Sequence, residues 1–488
     1  MIIRRPARFA RRRGTPARVS ARWRRALSSL VLASLATAAL PAADSSHVAE
    51  QFCVSCHGMG FMGGRVPALR GGRWRRAHND EEAAQIIING LPEVQMPAFA
   101  RTFPPETVAG LIAYIKSPPT GKETRGLLPV TDGKGRLIIT ELQNFRVEPV
   151  ADGYETPWSF AFLPDGQLLV SERAGRLRLV DQGHNSPPIQ GVPKVWYRQD
   201  AGLLSLALDP DYSKNGWIYL SYSEPGEEYR TSMTKIVRGR ISNGAWVDQQ
   251  VVWQAEPRYY WRGDDHYGCR LLFVDGKLFF TIGDRGHRMA AQDTSNPCGK
   301  VHRVEPDGKI PADNPFAGKP GADPSIWSYG HRNPQGLAFN PQTGELWETE
   351  HGPMGGDELN RIQPGMNYGW PVVTFGKDNN GEIISEFTSK PGMVDPIVQW
   401  TPSIAVCPVH LSTSDRYPAW KGQLLVGSLA RQEFRRIEVK DGHAVHQELL
   451  FKWLGRIRDI ETGPDGYLYL ALEHRERPGE IVRLIPTP

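Results

Sequence analysis

A histidine directly follows two acids in Gly263-Asp264-Asp265-His266, and another acid, Asp284, stands 18 residues further on. Between them Asp275-Gly276 is a strong hairpin signal, and Leu278 to Ile282 reads as the returning strand. The return brings Asp284 toward His266. A carboxylate beside an imidazole fixes its tautomer and stabilises its charged form. The chemistry expected is general-base catalysis, with His266 as base and Asp284 as its partner. The plainer reading of this stretch is a solvated loop histidine.

A second constellation is Cys53-Val54-Ser55-Cys56-His57. In CxxCH the two thiols add to the vinyl groups of haem c, and the histidine supplies the proximal imidazole. Cys53 and Cys56 are therefore the expected attachment points and His57 an iron ligand. The second iron ligand is expected to be Met96, in Gln-Met-Pro-Ala-Phe and 39 residues beyond His57. Met59 and Met62 lie too close to the attachment site to reach the opposite haem face.

These residues need elements to position them. Residues 44–119 read as a small all-α cytochrome c domain. A first helix starts near Ser46 and ends in CxxCH. A second runs from Asp80 to Ile88 behind an Asn79 N-cap, with Gly90 past its end. A third starts near Thr102, has Pro104 and Pro105 in its first turn and runs to Lys116. Residues 120–136 read as a linker. From 137 to 488 the pattern changes. An apolar run, a glycine turn and an alternating strand recur around Gly166, Gly216, Gly276, Gly344, Gly422 and Gly466, as in FAFLPDGQLLVSE and IETGPDGYLYLALE. Six irregular strand repeats predict an all-β six-bladed β-propeller, with a pair of β-sandwiches as runner-up. Propellers carry their function in the loops at one end of the channel.

Three further loops hold unusual polar content: Gly330-His331-Arg332-Asn333-Pro334-Gln335-Gly336, Glu350-His351-Gly352-Pro353 and Arg456-Ile457-Arg458-Asp459. Two arginines two residues apart on an extended segment point the same way and suit a polycarboxylate or phosphate. GHRNPQGLAF, Gly352 to Glu358, NYGWP, TIGD and DNP occur in one order, and together they resemble the soluble quinoprotein glucose dehydrogenases and the related aldose sugar dehydrogenases. The resemblance covers nearly all of 137–488 and implies pyrroloquinoline quinone (PQQ), Ca²⁺ and oxidation of an aldose. It implies that Asp265 lines the site beside the base, that Arg332, which also stabilises charge on the quinone, and Asn333 contact PQQ, and that Arg456 and Arg458 pair with its carboxylates. Gly352 and Pro353 would give backbone carbonyls to Ca²⁺, Trp400 and Ser403 would flank the cofactor, and Glu358 with Tyr368 would form a second Ca²⁺ site. A family lysine falls at Ala430, with Arg431 beside it as a substitute. A family glutamine falls at Asp200, with Gln199 next to it.

Composition bounds the partners. The net charge is +5, but the first 43 residues contain ten arginines and no acid, leaving −5 for the rest. The basic balance belongs to a leader, and the body carries no nucleic-acid signature. An Arg-rich start, an apolar stretch from Ala26 to Leu40 and Pro41-Ala42-Ala43 read as a secretory signal over 1–43. The expectation is an exported, periplasmic chain with no transmembrane segment after cleavage. Cys269, Cys298 and Cys407 remain, with a Cys269–Cys298 bridge open in an oxidising compartment. The expected partners are an aldose and an external electron acceptor such as a cytochrome. A non-catalytic binding propeller with a tethered haem is the alternative, and a metal-dependent lactonase comes last.

Overall fold

The computed structural model of the 488-residue chain describes residues 48–49, 53, 57, 69, 74, 76–91, 96, 98–100, 103–117, 130–131, 136–378 and 380–487. The leader at 1–43, Cys56 and much of the 120–136 linker lie outside the described residues.

In the N-terminal region α1 (Asp80–Asn89) starts at Asn79, whose side-chain oxygen accepts the Glu82 N–H at 2.8 Å. It stops at Gly90, whose N–H reaches the Ile86 carbonyl. In α2 (Pro105–Lys116) Val108, Leu111, Ile112 and Ile115 are buried, the three-and-four spacing of one helix face. That face packs with Phe99 and Phe103, whose rings stack at 5.0 Å, and with Cys53. The Cys53 N–H bonds the Ala49 carbonyl at 2.9 Å and the His57 N–H bonds the Cys53 carbonyl at 3.0 Å, so both residues ride one helical turn. Met96 forms an antiparallel bridge with Leu91.

The remainder is six sheets in a ring, a six-bladed β-propeller. The innermost strands are Pro157–Phe162, Leu203–Leu208, Leu271–Val274, Pro334–Asn340, Val406–Leu411 and Arg456–Thr462. Each turns through a hairpin into the second strand of its blade. All six repeat glycines sit in those turns with φ between 67° and 89°, a region where a Cβ is costly. The ring closes by pairing Phe145–Tyr154, near the start of the propeller, with Gly479–Pro486 at its end. Apolar side chains between adjacent blades form the core, for example Trp347, Leu359 and Val398 against Val406, Val426 and Ile437. Each fully buried aliphatic or aromatic side chain contributes about 1.5–3 kcal/mol. Cys269, Cys298 and Cys407 are buried free thiols, so the Cys269–Cys298 bridge is not formed. Among the described residues no helix is long and apolar enough to cross a membrane.

Candidate active site

One mouth of the channel collects the loops that enter the innermost strands and the loops that leave the second strands. His266 lies in the loop before Leu271–Val274, and Asp284 follows Lys277–Ile282. The chain folds them together because Gly283 passes so close to His266 that a Cβ there would sit 2.3 Å from the His266 carbonyl oxygen. His266 itself has a φ of 54°. Its loop is held by Arg285, which donates to the Gly263 carbonyl at 2.8 Å and to the Asp265 carbonyl, and stacks 3.6 Å from the Tyr267 ring centroid.

His266 Nδ1 meets Asp284 Oδ1 at 2.6 Å. Asp284 is fully buried and its Oδ2 accepts the Trp370 indole N–H at 2.7 Å. Burial opposes its charge, yet the bond from His266 and the nearby Arg332 hold its carboxyl below the usual carboxylate range. An ionised Asp284 takes the proton-bearing Nδ1 and leaves Nε2 with its lone pair. That nitrogen has no hydrogen-bond partner among the described residues, and the side chain is 17% exposed. Asp265 is exposed and contributes its carbonyl to Arg285. Asp264, which sequence reasoning passed over, is the acid fixed in place, by the Trp196 indole at 2.7 Å and Arg198 at 3.4 Å.

Arg332 and Asn333 immediately precede Pro334–Asn340. Arg332 Nη1 donates to the carbonyls of His351 at 3.1 Å and Gly352 at 2.9 Å. Two carbonyls converging on one cationic nitrogen mark a place that accepts a cation. Burial pushes the Arg332 guanidinium down, and its Nε has no partner. Asn333 Oδ1 accepts the Gly268 and Gln335 amides at 3.1 and 3.0 Å, and its Nδ2 lies 3.4 Å from His351 Nδ1. Burial drops the His351 imidazole to about 3, and its Nε2 is also unpartnered. Gly352 N–H is held by Asp357 Oδ1 at 2.9 Å, while Pro353 packs near Gly376.

Arg456 and Arg458 are brought together by Glu473, at 3.1 and 2.6 Å. Burial opposes the Glu473 charge, but Arg458 and then Arg456 pull the carboxyl down to about 2. One carboxylate against two guanidinium groups leaves the pair net positive. Arg431 follows Leu424–Ser428 with a buried, unpartnered Nε, while Ala430 beside it is exposed. Gln199 and Asp200 are both exposed, and Asp200 is near enough to raise both Arg332 and Arg458. Ser403 Oγ accepts the Ala405 N–H at 3.1 Å. Trp400 is buried in the core beside Ile404 and Val406, with an unpartnered indole N–H.

Behind the mouth, Asn360 Nδ2 sits among three carboxylates, Glu348, Glu350 and Glu358, at 3.1, 3.2 and 3.2 Å. Burial, then Glu350, pushes both Glu348 and Glu358 well above the usual carboxylate range. His331, Glu348 and Glu350 are the group of titratable side chains, among the described residues, close enough to share a metal. Tyr368 stacks on His331 at 4.7 Å. Sequence reasoning missed Glu473, Trp370, Glu350 and Asp357. Glu473 closes the last repeat motif and Trp370 belongs to NYGWP, so both had a signal. In the N-terminal region burial pushes His57 down to about 4, which keeps the imidazole in the neutral form that ligates metals.

A six-bladed propeller with an acid-paired histidine, clustered arginines and converging carbonyls at one mouth has the architecture of the soluble quinoprotein sugar dehydrogenases. Residues 154–483 match the Glucose / Sorbosone dehydrogenase family, and the chain belongs to it. Residues 41–115 match the cytochrome family described as Cytochrome C oxidase, cbb3-type, subunit III. The aldose sugar dehydrogenase YliI of Escherichia coli is 39% identical over 70% of this chain and 92% of its own length. Quinoprotein glucose dehydrogenase B of Acinetobacter calcoaceticus is 31% identical over 68% of this chain and 85% of its own. The solved PQQ-bound form of aldose sugar dehydrogenase from Streptomyces coelicolor is 28% identical, covers 70% of this chain and 98% of its own, and has a TM-score of 0.57. The chain is a sugar oxidoreductase of the quinoprotein type that also carries a cytochrome c domain.

Proposed function

We propose that the protein is an exported quinohaemoprotein that oxidises an aldose at C1 to its lactone and releases the electrons through its own c-type haem. The observation that carries this reading is the His266–Asp284 pair at 2.6 Å with Nε2 left free. His266 Nε2 removes the proton of the anomeric hydroxyl. Asp284 keeps Nδ1 protonated and stabilises the imidazolium that forms. PQQ, when bound, supplies the acceptor for the hydride leaving C1.

The residues present fit that group. At this mouth the Nε atoms of Arg332 and Arg431 are buried without hydrogen-bond partners among the described residues, whereas Arg456 Nε is 3.1 Å from Glu473. Buried unpaired donors are costly unless an anion completes them, and a planar polycarboxylate does so. Arg332 and Asn333 hold the quinone, Arg332 also steadying charge on it. Arg456 and Arg458 take its carboxylates, Arg431 stands in for the cation missing at Ala430, and Asp200, with Gln199 beside it, borders the sugar and cofactor. Ser403 and Trp400 back the loop. The carbonyls of Gly352 and Pro353 hold Ca²⁺, an oxygen-binding cation. Glu358 and Tyr368 are assigned to a second Ca²⁺ beside the buried carboxylates. Oxidation of one aldose yields two electrons and two protons. Cys53 and Cys56 would hold the haem, with His57 and Met96 as its iron ligands, and it would supply a one-electron relay to an external acceptor. Domain limits of 1–43, 44–119, 120–136 and 137–488 belong to the same reading.

The test is a visible spectrum of purified holo-protein with PQQ and Ca²⁺, before and after a panel of aldoses. Reduced c-haem bands that grow only with both PQQ and a sugar are expected. A haem reducible by dithionite but never by sugar would instead favour a binding propeller with a tethered cytochrome.

A further inference from the structure

The channel continues past the catalytic mouth. Arg270 bars it midway: Nη1 meets Asp459 Oδ1 at 2.8 Å, Nε donates to the Gln335 carbonyl and Nη2 to the Arg458 carbonyl, both at 2.9 Å. The guanidinium also lies 4.5 Å from the Trp158 ring centroid. Both members of the ion pair are 7% exposed. Beyond this bar lies a cavity of about 260 Å³ to which all six innermost strands contribute. About 150 Å³ already suffices for a ligand the size of benzene.

The walls of this far chamber differ from those of the catalytic mouth. Leu272, Phe339 and Leu411 give it an apolar strip, while Ser159, Ser205, His410, Thr413 and Glu461 are its polar side chains besides the bar. His410 Nε2 is taken by the Thr462 hydroxyl at 2.9 Å, and burial pushes the imidazole down to about 4, so it brings no charge. Arg270 and Asp459 neutralise one another. Glu461 is left over. Its carboxyl forms no hydrogen bond or ion pair with any described residue, and burial together with Asp459 raises it to about 8. At neutral pH such a carboxyl is largely protonated, and an incoming cation draws it into the ionised form with release of its proton. The site lacks the convergent side-chain ligands a metal needs, since the one metal-capable group among the described residues lies elsewhere, at His331, Glu348 and Glu350. One ionisable carboxyl beside the apolar strip of Leu272, Phe339 and Leu411, in a chamber whose lining is otherwise mostly polar, matches a cation with a short apolar body.

We propose that this far mouth binds a small organic ammonium ion, with its N–H groups on the Glu461 carboxylate and the Thr413 hydroxyl and its alkyl part against Leu272, Phe339 and Leu411. The site is separate from the redox centre and does not depend on the PQQ reading. Calorimetric titration of the full-length holo-protein tests it, with butylammonium, its uncharged counterpart pentanol and CaCl₂ as probes, on wild type and Glu461→Gln. Butylammonium should bind saturably to wild type and lose about tenfold or more in affinity, 1.4 kcal/mol per decade, in Glu461→Gln. Pentanol should bind weakly and equally to both, and sugar oxidation should be unchanged. Leu272→Trp, which fills the chamber while leaving Glu461 in place, should also abolish butylammonium binding, with the melting curve reporting that the fold is kept. The proposal is overturned by absent or non-saturable butylammonium binding, by equal affinity in Glu461→Gln, or by pentanol binding as well as the cation. Calcium binding that Glu461→Gln removes, with no ammonium binding, would overturn it in favour of a metal.

Discussion

Two histidine–carboxylate pairs stand close together in this propeller and do different work. His266 meets Asp284 at 2.6 Å and His331 meets Glu350 at 3.1 Å. The acids follow their histidines by 18 and 19 residues, so sequence spacing treats the pairs alike. The second ring nitrogen separates them. His331 Nε2 is engaged with Ser328 Oγ at 2.9 Å, and the fully buried ring stacks on Tyr368. Glu350 also accepts the Arg332 backbone N–H at 2.5 Å. Every polar atom of that imidazole is used, so the pair is a strut under Arg332. His266 has the same anchored Nδ1 but an unengaged Nε2 at the channel mouth. An imidazole acts as a base through a lone pair that substrate can reach, and only His266 offers one.

The largest effect that follows is on His266→Ala. Sugar-dependent haem reduction should fall by about 10⁴-fold, the upper range for loss of a general base. Haem content and PQQ affinity should stay near wild type, while the melting temperature falls modestly because the buried Asp284 loses the His266 bond. Turnover close to normal would remove His266 as the base and dissolve the contrast between the pairs.

Asp284→Asn comes next, with a fall in kcat of about 10²-fold or more, because an amide no longer enforces protonation at Nδ1 or stabilises the imidazolium. The same variant has a stability signature. The folded Asp284 carboxyl lies below its ordinary value of 3.8, so its contribution is present above pH 3.8 and is lost as pH falls through the depressed value. Acid titration of wild type followed by circular dichroism should show this loss, and Asp284→Asn should lack that part of it. Identical acid profiles would mean that the pair contributes nothing to the fold.

Much of this layout was legible in the sequence, for local reasons. Four blades join their first two strands by a short turn and two by a longer connection with a helical turn, but each connection ends on or contains a glycine at positive φ, so the six glycines announced the six blades. The cap at Asn79 and the prolines at α2 are equally local. The hairpin at Asp275-Gly276 was enough to bring Asp284 back to His266. What stayed hidden joins distant blades. Trp370 reaches Asp284 across 86 residues and Arg270 reaches Asp459 across 189, and no short-range pattern encodes such contacts. Asp264 and Asp265 are chemically identical neighbours, and only the turn of the loop decides which one meets Trp196. Glu473 lay in between: once the hairpin at Gly466 is assumed, its register places Glu473 opposite Arg456. The sequence reading stopped at the arginines and did not follow the pairing across.

The smallest effect on turnover is expected at the strut, and there the comparison can be run in both directions with one kind of substitution. His331→Phe preserves a ring that can stack on Tyr368 but removes both nitrogens, leaving the buried Glu350 and Ser328 oxygens without that partner. Losing a buried hydrogen-bonding partner costs about 1–3 kcal/mol per stranded group, so the melting temperature should drop by several degrees. The folded fraction should keep kcat within about tenfold of wild type, since removing a strut that touches no reacting atom forfeits none of the 10²–10⁴-fold owed to a general base. Glu350 still holds the Arg332 N–H in this variant. His266→Phe should abolish turnover, and because the buried Asp284 then loses its 2.6 Å bond from Nδ1, its melting temperature should drop by several degrees as well. Measuring kcat and melting temperature for both variants should show both pairs supporting the fold and only the His266 pair supporting turnover. A His331→Phe protein that melts normally but cannot oxidise sugar would show that the buried pair, too, takes part in the chemistry.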